Sequence, residues 1–130
     1  GSRKGEHLGR TGSEDSKSAV EAAIRDYIES WYEGDPVRMD RTLHPDLVKR
    51  IPTRSGSAAE LRGVTKARMV ELTSADGGKT PGADYVVEVH HVHGGIATGL
   101  VRSADYLDYV QLVETVDGWQ IANILFQTHD

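Results

Sequence analysis

The second half of the chain alternates strand-forming runs with short turn sequences, and this pattern limits the fold more than any other feature. β-Branched and aromatic residues dominate after Pro81-Gly82. Turn residues follow at Gly94-Gly95, at residues 103–105 and at Asp117-Gly118. Such spacing predicts strands joined as successive antiparallel hairpins, a meander. The predicted strands are Tyr85–His93, Ile96–Arg102, Tyr106–Val116 and Trp119–Thr128.

The first half has helical periodicity instead. Apolar residues recur at intervals of three and four, which predicts an amphipathic helix of about four turns: Val20, Ile24, Tyr27, Ile28 and Trp31. Ser18 and Glu21 have the spacing of a capping box at its start. Gly34 suits the left-handed position that ends a helix, and Asp35-Pro36 suits the first residues of the next one.

The middle of the chain predicts shorter elements. The second helix stops near His44, because Pro45 disfavours helical geometry in the residue before it. Residues 47–51 predict a short strand that Pro52 closes, and Thr53–Ala58 predicts a polar loop, a candidate lid or rim of a ligand site. A third helix is expected over Thr65–Ala75, ended by Gly77-Gly78.

Helices followed by an antiparallel meander predict the α+β class, with N-terminal helices packed on a strongly bent sheet that ends in the meander. At 130 residues the chain is expected to form one domain, over residues 14–130. Residues 1–13 are predicted to be a flexible arm, whose opening Gly-Ser resembles a tag remnant. Gly99 lies within a predicted strand, where glycine is typical of a bend, and a bent sheet leaves an internal cleft beside the helices.

Composition excludes several function classes. Lys and Arg number 15 against 20 Asp and Glu, a net charge of −5 that disfavours nucleic acid as a partner. The absence of cysteine removes thiolate chemistry and cysteine metal sites. No apolar run approaches membrane-spanning length, so no membrane partner is predicted. We expect a cytoplasmic protein without a cofactor, although a removed signal segment stays open.

Both faces of the last strands carry apolar residues. Leu107, Tyr109 and Val113 share one parity, whereas Val110 and Leu112 share the other. One helix layer covers only one face, and a second copy of the chain is the simplest cover for the other. The sequence therefore predicts a homodimer through the sheet.

The C-terminal segment also carries a family resemblance. The run Asp108-Tyr109-x-x-Leu112, followed by Val116-Asp117-Gly118-Trp119-x-Ile121-x-Asn123, resembles the last hairpin of the nuclear transport factor 2-like superfamily. The branch it resembles most is the one called putative lumazine-binding or SnoaL-like. The first helix and Leu43-His44-Pro45-Asp46-Leu47 resemble the start of these proteins, so the resemblance covers residues 17–128. It implies an α+β cone with a pocket between helices and concave sheet, in general dimeric, and it implies no single chemistry.

Histidines and one aspartate are the candidate catalytic groups. His91 and His93 share one face of their strand, with His90 on the other. A strand histidine can act as a general base near neutral pH, or simply hydrogen-bond in a groove or interface. Two imidazoles without a third ligand predict no metal site. Asp108 lies among apolar neighbours and is expected either to move protons or to form a salt bridge, for which Arg102 is a candidate.

The candidate pocket residues are polar or aromatic: Tyr27, Trp31, His44, His93, Tyr109, Gln111 and Asn123. Tyr27 and Trp31 could stack on a flat ligand. Gln111 and Asn123 could hold a ligand carbonyl or bond to each other, and His44 could line the cleft mouth or interact with the end of its helix.

Three hypotheses follow from these residues. The first is a dimeric domain that binds a small, largely apolar ligand. The second is an isomerase, dehydratase or cyclase in which His91 or Asp108 moves a proton and Tyr109, Gln111 or Asn123 polarises a carbonyl. The third is a protein-interaction module. They differ in whether the cleft holds an acid–base group beside a hydrogen-bond donor, an open space alone, or packed side chains.

Overall fold

The computed structural model describes the backbone of residues 2–55 and 58–129, and the side chains of residues 14–54 and 59–129. Within this described backbone, three helices and six strands follow one another: α1 (Ser2–Glu33), α2 (Pro36–Thr42), β1 (Leu43–Ser55), β2 (Ala58–Val64), α3 (Lys66–Ser74), β3 (Val86–His93), β4 (Ile96–Arg102), β5 (Tyr106–Thr115) and β6 (Gly118–Thr128). The last four strands agree with the predicted ones to within a residue at each end.

The strands form one six-stranded mixed sheet in the order β2-β1-β6-β5-β4-β3. β3 to β6 are antiparallel neighbours in chain order, as the predicted meander requires. β1 joins the sheet beside β6 in the parallel direction and pairs with β2 on its other side. The predicted α+β class is confirmed, with the helices packed on the sheet.

The corner between the first two helices has the predicted chemistry. Gly34 has a φ of +68°, the left-handed conformation that ends α1. The Asp35 side chain accepts a hydrogen bond from the Arg38 backbone N–H, and Pro36 occupies the first turn of α2. The predicted capping box at Ser18 and Glu21 is wrong, because α1 continues through these residues toward Ser2. No proline before Ser18 forces the chain out of helical geometry there.

Residues 1–13 were expected to form a flexible arm. The helix begins at Ser2, and the side chains of these residues lie outside the described part. The boundary between arm and domain at residue 13 stays a prediction.

The β1–β2 hairpin differs from the prediction in this region. Pro52 lies inside β1, opposite Leu61 of β2, and does not close the strand. Proline is tolerated there because pairing of β1 with β6 ends at Arg50, which leaves one side of β1 open. The expected loop over residues 53–58 is reduced to the connection between β1 and β2, whose residues 56 and 57 lie outside the described residues.

Irregular pairing bends the sheet at defined points. The register between β3 and β4 shifts between Val89 and His91, opposite Gly99 and Thr98. A second shift lies between β5 and β6 at Gln111 and Leu112. Extra residues at such bulges increase local twist and bend the strand. The core lies between the sheet and α1, and its fully buried members include Val20, Ile24, Met39, Leu43, Val101, Val110 and Ile121.

Candidate functional site

A cavity of about 370 Å³ opens between the sheet, α1 and α3. Its size falls within the range of small-molecule sites, about 300–1,000 Å³. The residues that line it come from all of these elements: Tyr27, Ile28, Trp31, Lys49, Ile51, Arg62, Val64, Met69, Leu72, Ser103, Tyr106, Asp108, Phe126 and Thr128.

Periodicity explains how three lining side chains reach the cavity. Tyr27 and Trp31 are one turn apart on α1, so both face the sheet. Asp108 shares its parity on β5 with the buried Val110 and Leu112, and this parity faces the helices.

The innermost polar groups form a hydrogen-bonded chain. Lys49 Nζ donates to Tyr27 Oη at 2.7 Å, and Tyr27 Oη donates to Asp108 Oδ2 at 2.7 Å. The Lys49 ammonium also lies 3.1 Å from Met69 Sδ and 4.5 Å from the centre of the Phe126 ring. Lys49 and Asp108 are each only 5% exposed. A cation and a carboxylate are thus linked, through one tyrosine hydroxyl, inside the domain.

Burial dominates the electrostatics of this cluster. It lowers the pKa of Lys49 to about 8, against the opposing attraction of Asp108. It raises the pKa of Asp108, although Lys49 and the Tyr27 hydroxyl act in the other direction. It also raises the pKa of Tyr27 well above its usual value, and the nearby Asp108 charge adds to this effect. Each shift favours the uncharged form of its group.

The rest of the lining is mostly apolar. Met69 and Leu72 of α3 face the cavity from the helix side, and Phe126 of β6 from the sheet. Arg62 and Thr128 are exposed residues of the lining, so the cavity meets solvent near them. A bound molecule would therefore contact hydrocarbon along most of its surface and one polar cluster at its inner end.

This arrangement can hold or move a proton. The Tyr27 hydroxyl donates to Asp108 in the structure and accepts from Lys49, so it connects an acid and a base. Among the described side chains, those of residues 14–54 and 59–129, no three histidine or acidic groups stand close enough to hold a metal ion. Within the described backbone, residues 2–55 and 58–129, no helix has the length and apolar character needed to cross a membrane.

The structure brings three of the predicted site residues together. Tyr27, Trp31 and Asp108 all line the cavity, and Tyr27 and Asp108 are hydrogen-bonded to each other. The suggested salt bridge from Asp108 to Arg102 is not formed, because Arg102 is exposed whereas Asp108 points toward the helices. Catalytic or binding roles for the three residues stay predictions.

Four predicted residues lie on the opposite face of the sheet. His91, His93, Gln111 and Asn123 line a separate depression of about 330 Å³. The two imidazole rings are 6.4 Å apart, which confirms their common face. Asn123 Nδ2 donates to Gln111 Oε1 at 3.0 Å, so these amides satisfy each other, as one of the alternatives predicted. The expectation that they share a pocket with Tyr27 is wrong, because the inward parity of β5 belongs to Asp108.

Tyr109 and His44 also lie away from the cavity. Tyr109 is 55% exposed on the outer sheet face, since it alternates with Asp108 along β5. His44 is the second residue of β1 rather than the end of α2, and its Nδ1 accepts a hydrogen bond from the Asp46 backbone N–H at 2.9 Å. Neither residue contributes to the lining.

Lys49 is the functional candidate that sequence analysis missed. It shares its strand parity with Leu47, which is buried, and Ile51, which lines the cavity. That alternation was visible in the sequence, but lysine is almost never fully buried unless it is paired. The partner that makes its burial possible, Tyr27, lies 22 residues earlier in the chain.

Solved structures with this architecture define the class of the fold. A nuclear transport factor 2-like protein of unknown function from Silicibacter pomeroyi aligns with a TM-score of 0.72 and 15% identity, covering 86% of this chain and 94% of the other. An NTF2-like protein with a cystatin-like fold from Novosphingobium aromaticivorans gives 0.69 and 15%, covering 95% and 88%. A ketosteroid isomerase-like protein from Erwinia carotovora atroseptica gives 0.61 and 19%, covering 88% and 96%. The domain therefore has the nuclear transport factor 2-like fold.

The family model narrows this class. The model described as "Putative lumazine-binding" matches residues 15–127, nearly the whole chain. The chain belongs to that family, as the resemblance of its first helix and last hairpin implied. The comparison with curated proteins found no match.

Proposed function

We propose that the domain binds a small, largely apolar molecule in the cavity between α1, α3 and the sheet, with a polar group of that molecule directed at Lys49, Tyr27 and Asp108. One observation carries the proposal. A buried, hydrogen-bonded cluster of ionisable groups lies at the inner end of an otherwise apolar cavity that reaches solvent. Buried ionisable groups with shifted pKa values that line a cavity are typical of a functional site.

The open volume of the cavity favours a bound ligand over a cleft that is filled by side chains. Trp31 and Phe126 line the space without filling it, and about 370 Å³ stays open. An interaction module with a filled cleft would lack this volume. The family description adds a candidate ligand class, the flat bicyclic lumazines. A lumazine ring system is small enough for the volume of the cavity, but it is more polar than the lining.

Calorimetric titration with two bicyclic probes of similar size tests the proposal. Lumazine carries several ring nitrogens and carbonyls, whereas 2-naphthol has one hydroxyl on a hydrocarbon ring. We expect 2-naphthol to bind more tightly, because most of the lining is apolar. Leu72→Trp should weaken binding by narrowing the space, and Leu125→Trp on the outer sheet face should leave it unchanged. Equal affinity in Leu72→Trp and the unaltered protein would contradict the location.

A second candidate function is proton transfer on a ketone. The observation that favours it is the Asp108 carboxyl, whose pKa is raised by burial beside the Tyr27 hydroxyl. A carboxylate with a raised pKa is a stronger base, and a tyrosine hydroxyl can stabilise the developing oxyanion. Exchange of the α-hydrogens of 2-tetralone for deuterium, followed by NMR, measures this activity. Loss of the protein-dependent rate in Asp108→Asn would support it, and an equal rate in Asp108→Asn would exclude this residue as the base.

The outer face of the sheet supports the proposed homodimer. Its exposed apolar side chains include Val48, Ile96, Tyr109 and Leu125. They lie on neighbouring strands β1, β6, β5 and β4 and so form one surface. A second copy presents the same surface across a two-fold axis, which makes the contact self-complementary.

A further inference from the structure

We propose that Lys49 captures small apolar aldehydes and ketones covalently, as an imine formed on its Nζ inside the cavity. The inference rests on the proposed function, since the cavity must admit a small molecule. It adds the chemical class of that molecule, a carbonyl compound, and a bond that holds it.

The first support is the position of the amine. Lys49 lines the cavity and is only 5% exposed. Its Nζ therefore faces the enclosed space rather than bulk water. Its hydrogen-bonding partners among the described residues, Tyr27 Oη and Met69 Sδ, are both uncharged. No carboxylate in that part of the chain accepts a hydrogen bond from Nζ, so the amine is not engaged in a direct ion pair.

Other lysines have different surroundings. Lys66 Nζ donates to the Leu43 carbonyl at 2.8 Å and lies 3.3 Å from an Asp40 carboxylate oxygen. Lys79 is half-exposed at the surface and lies 4.0 Å from an Asp76 oxygen. Both amines therefore have a carboxylate as a close neighbour. Lys49 alone among the three combines burial with neutral partners.

The second support is a path for the proton that an ammonium must lose before it can attack. Lys49 donates to Tyr27, and Tyr27 donates to Asp108. A shift of both protons along these hydrogen bonds leaves a neutral amine, a neutral tyrosine and a protonated Asp108. The net charge of the cluster does not change, and two buried charges disappear. The lowered pKa of Lys49 and the raised pKa of Asp108 act in the same direction.

Imine formation then balances within these groups. The nitrogen lone pair of Lys49 attacks the carbonyl carbon, and the carbonyl oxygen takes one proton from that nitrogen by way of Tyr27. Asp108 gives its proton through Tyr27 to the resulting hydroxyl, and the C–O bond breaks to release water. The products are a protonated imine on Lys49, the Asp108 carboxylate and one water molecule. No oxidant, reductant or metal is needed.

The surroundings suit the product as well. The Phe126 ring centre lies 4.5 Å from Nζ and the Tyr27 ring centre 5.2 Å, so aromatic faces stabilise a positive iminium nitrogen. The apolar lining keeps bulk water away from the C=N bond, which slows hydrolysis. Both features favour aldehydes and ketones with an apolar, preferably aromatic, body.

Reductive trapping tests the inference on the full chain. The protein is incubated with benzaldehyde and sodium cyanoborohydride, which converts an imine into a stable benzylamine, and peptide mapping by mass spectrometry locates the label. We expect one benzyl group on Lys49 at an initial rate about tenfold or more above that of Lys79, because the cavity holds the aldehyde beside Lys49 and a pKa of about 8 leaves roughly a tenth of this amine neutral at pH 7. The rate should rise with pH to a plateau above a midpoint of about 8. Labelling spread evenly over Lys17, Lys66 and Lys79 would overturn the inference.

Two controls separate the possible failures. Lys49→Arg keeps a positive charge but cannot form an imine, and Lys79→Arg removes a surface amine without touching the cavity. Mapping of the unaltered protein gives the answer even if Lys49→Arg does not fold. Calorimetry with benzyl alcohol, which has no carbonyl, measures occupancy of the cavity alone. Binding of benzyl alcohol without a Lys49 adduct contradicts the imine and keeps the proposed function, whereas absence of both contradicts both.

Discussion

The carbonyl oxygen of Glu88 lies 2.4 Å from the point where a side chain on Gly99 would place its Cβ. This contact occurs where the register between β3 and β4 shifts, and the atom in the way is backbone rather than a flexible side chain. We expect Gly99→Ala to lower the free energy of unfolding by about 1–3 kcal/mol, because the strands must separate to admit the methyl group. Urea denaturation followed by circular dichroism measures the change.

Gly95→Ala provides the matched control in the adjoining turn. A Cβ there would come no closer than 4.0 Å to Glu114 Cβ, an ordinary contact. We expect a change within about 0.5 kcal/mol. Equal losses in the two variants would show that the close approach of Glu88 is not the cause.

The buried lysine predicts that stability rises with pH in the mildly alkaline range. The pKa of Lys49 is about 8 in the folded protein against 10.5 for a free lysine. Between these values the unfolded chain binds more protons at this residue, so the free energy of unfolding increases with pH, by about 2 kcal/mol from pH 8 to 9.5. Above pH 10 the raised pKa of Tyr27 acts in the opposite direction, so the measurement ends at pH 9.5.

Urea unfolding of Lys49→Met at the same pH values isolates this contribution. Methionine fills a similar volume without a titratable group, so the free energy of unfolding of this variant should not change with pH over this range. Lys79→Met, at the surface, should keep the slope of the unaltered protein. A slope that persists in Lys49→Met would mean that another group titrates.

The start of α3 predicts a smaller effect on stability. The Thr65 side-chain oxygen accepts a hydrogen bond from the Arg68 backbone N–H at 3.0 Å and so caps the helix that carries Met69 and Leu72. Thr65→Ala should cost about 0.5–2 kcal/mol in thermal or urea unfolding. Ser74→Ala, at the exposed last residue of the same helix, should stay within about 0.5 kcal/mol, and a larger loss there would argue against the capping explanation.

The outer sheet face predicts the effect of a charge on assembly. Leu125 is 47% exposed on β6, beside Tyr109 of β5, and a glutamate at residue 125 would bury its charge in the proposed dimer. Analytical ultracentrifugation should show a dimer for the unaltered protein and a monomer for Leu125→Glu. Val116→Glu, in the fully exposed β5–β6 turn, should leave the dimer intact. A monomeric unaltered protein at micromolar concentration would refute the dimer.

Turn chemistry made the meander predictable. Gly94 and Gly118 both adopt positive φ in the turns where the sequence places them, between β3 and β4 and between β5 and β6. β2 was missed because Ala58–Val64 lacks the alternation of apolar and polar residues that indicates a strand. Its place in the sheet depends on pairing with β1, which is tertiary information.

The candidate site was predictable on the helix and only in part on the strands. Spacing alone directs Tyr27 and Trp31 toward the sheet. β5 alternates without interruption through Asp108, Tyr109 and Gln111, so these three could never have faced one cavity together. Which parity faces the helices is decided by packing, and this is why Asp108 was placed beside the wrong partners. Lys49 required knowledge of a contact between distant segments.

The two sides of the cavity are built from strands that differ in their number of hydrogen-bonded neighbours. Beyond Arg50, β1 is hydrogen-bonded to β2 alone, and Ile51 and Arg62 of this ribbon line one side of the cavity. Asp108 lines the other side from β5, which is paired with β4 on one edge and with β6 on the other. Segments held by fewer neighbours open locally at lower free energy than the whole domain. We therefore expect the ribbon side of the cavity to open locally more readily than the side that holds Asp108.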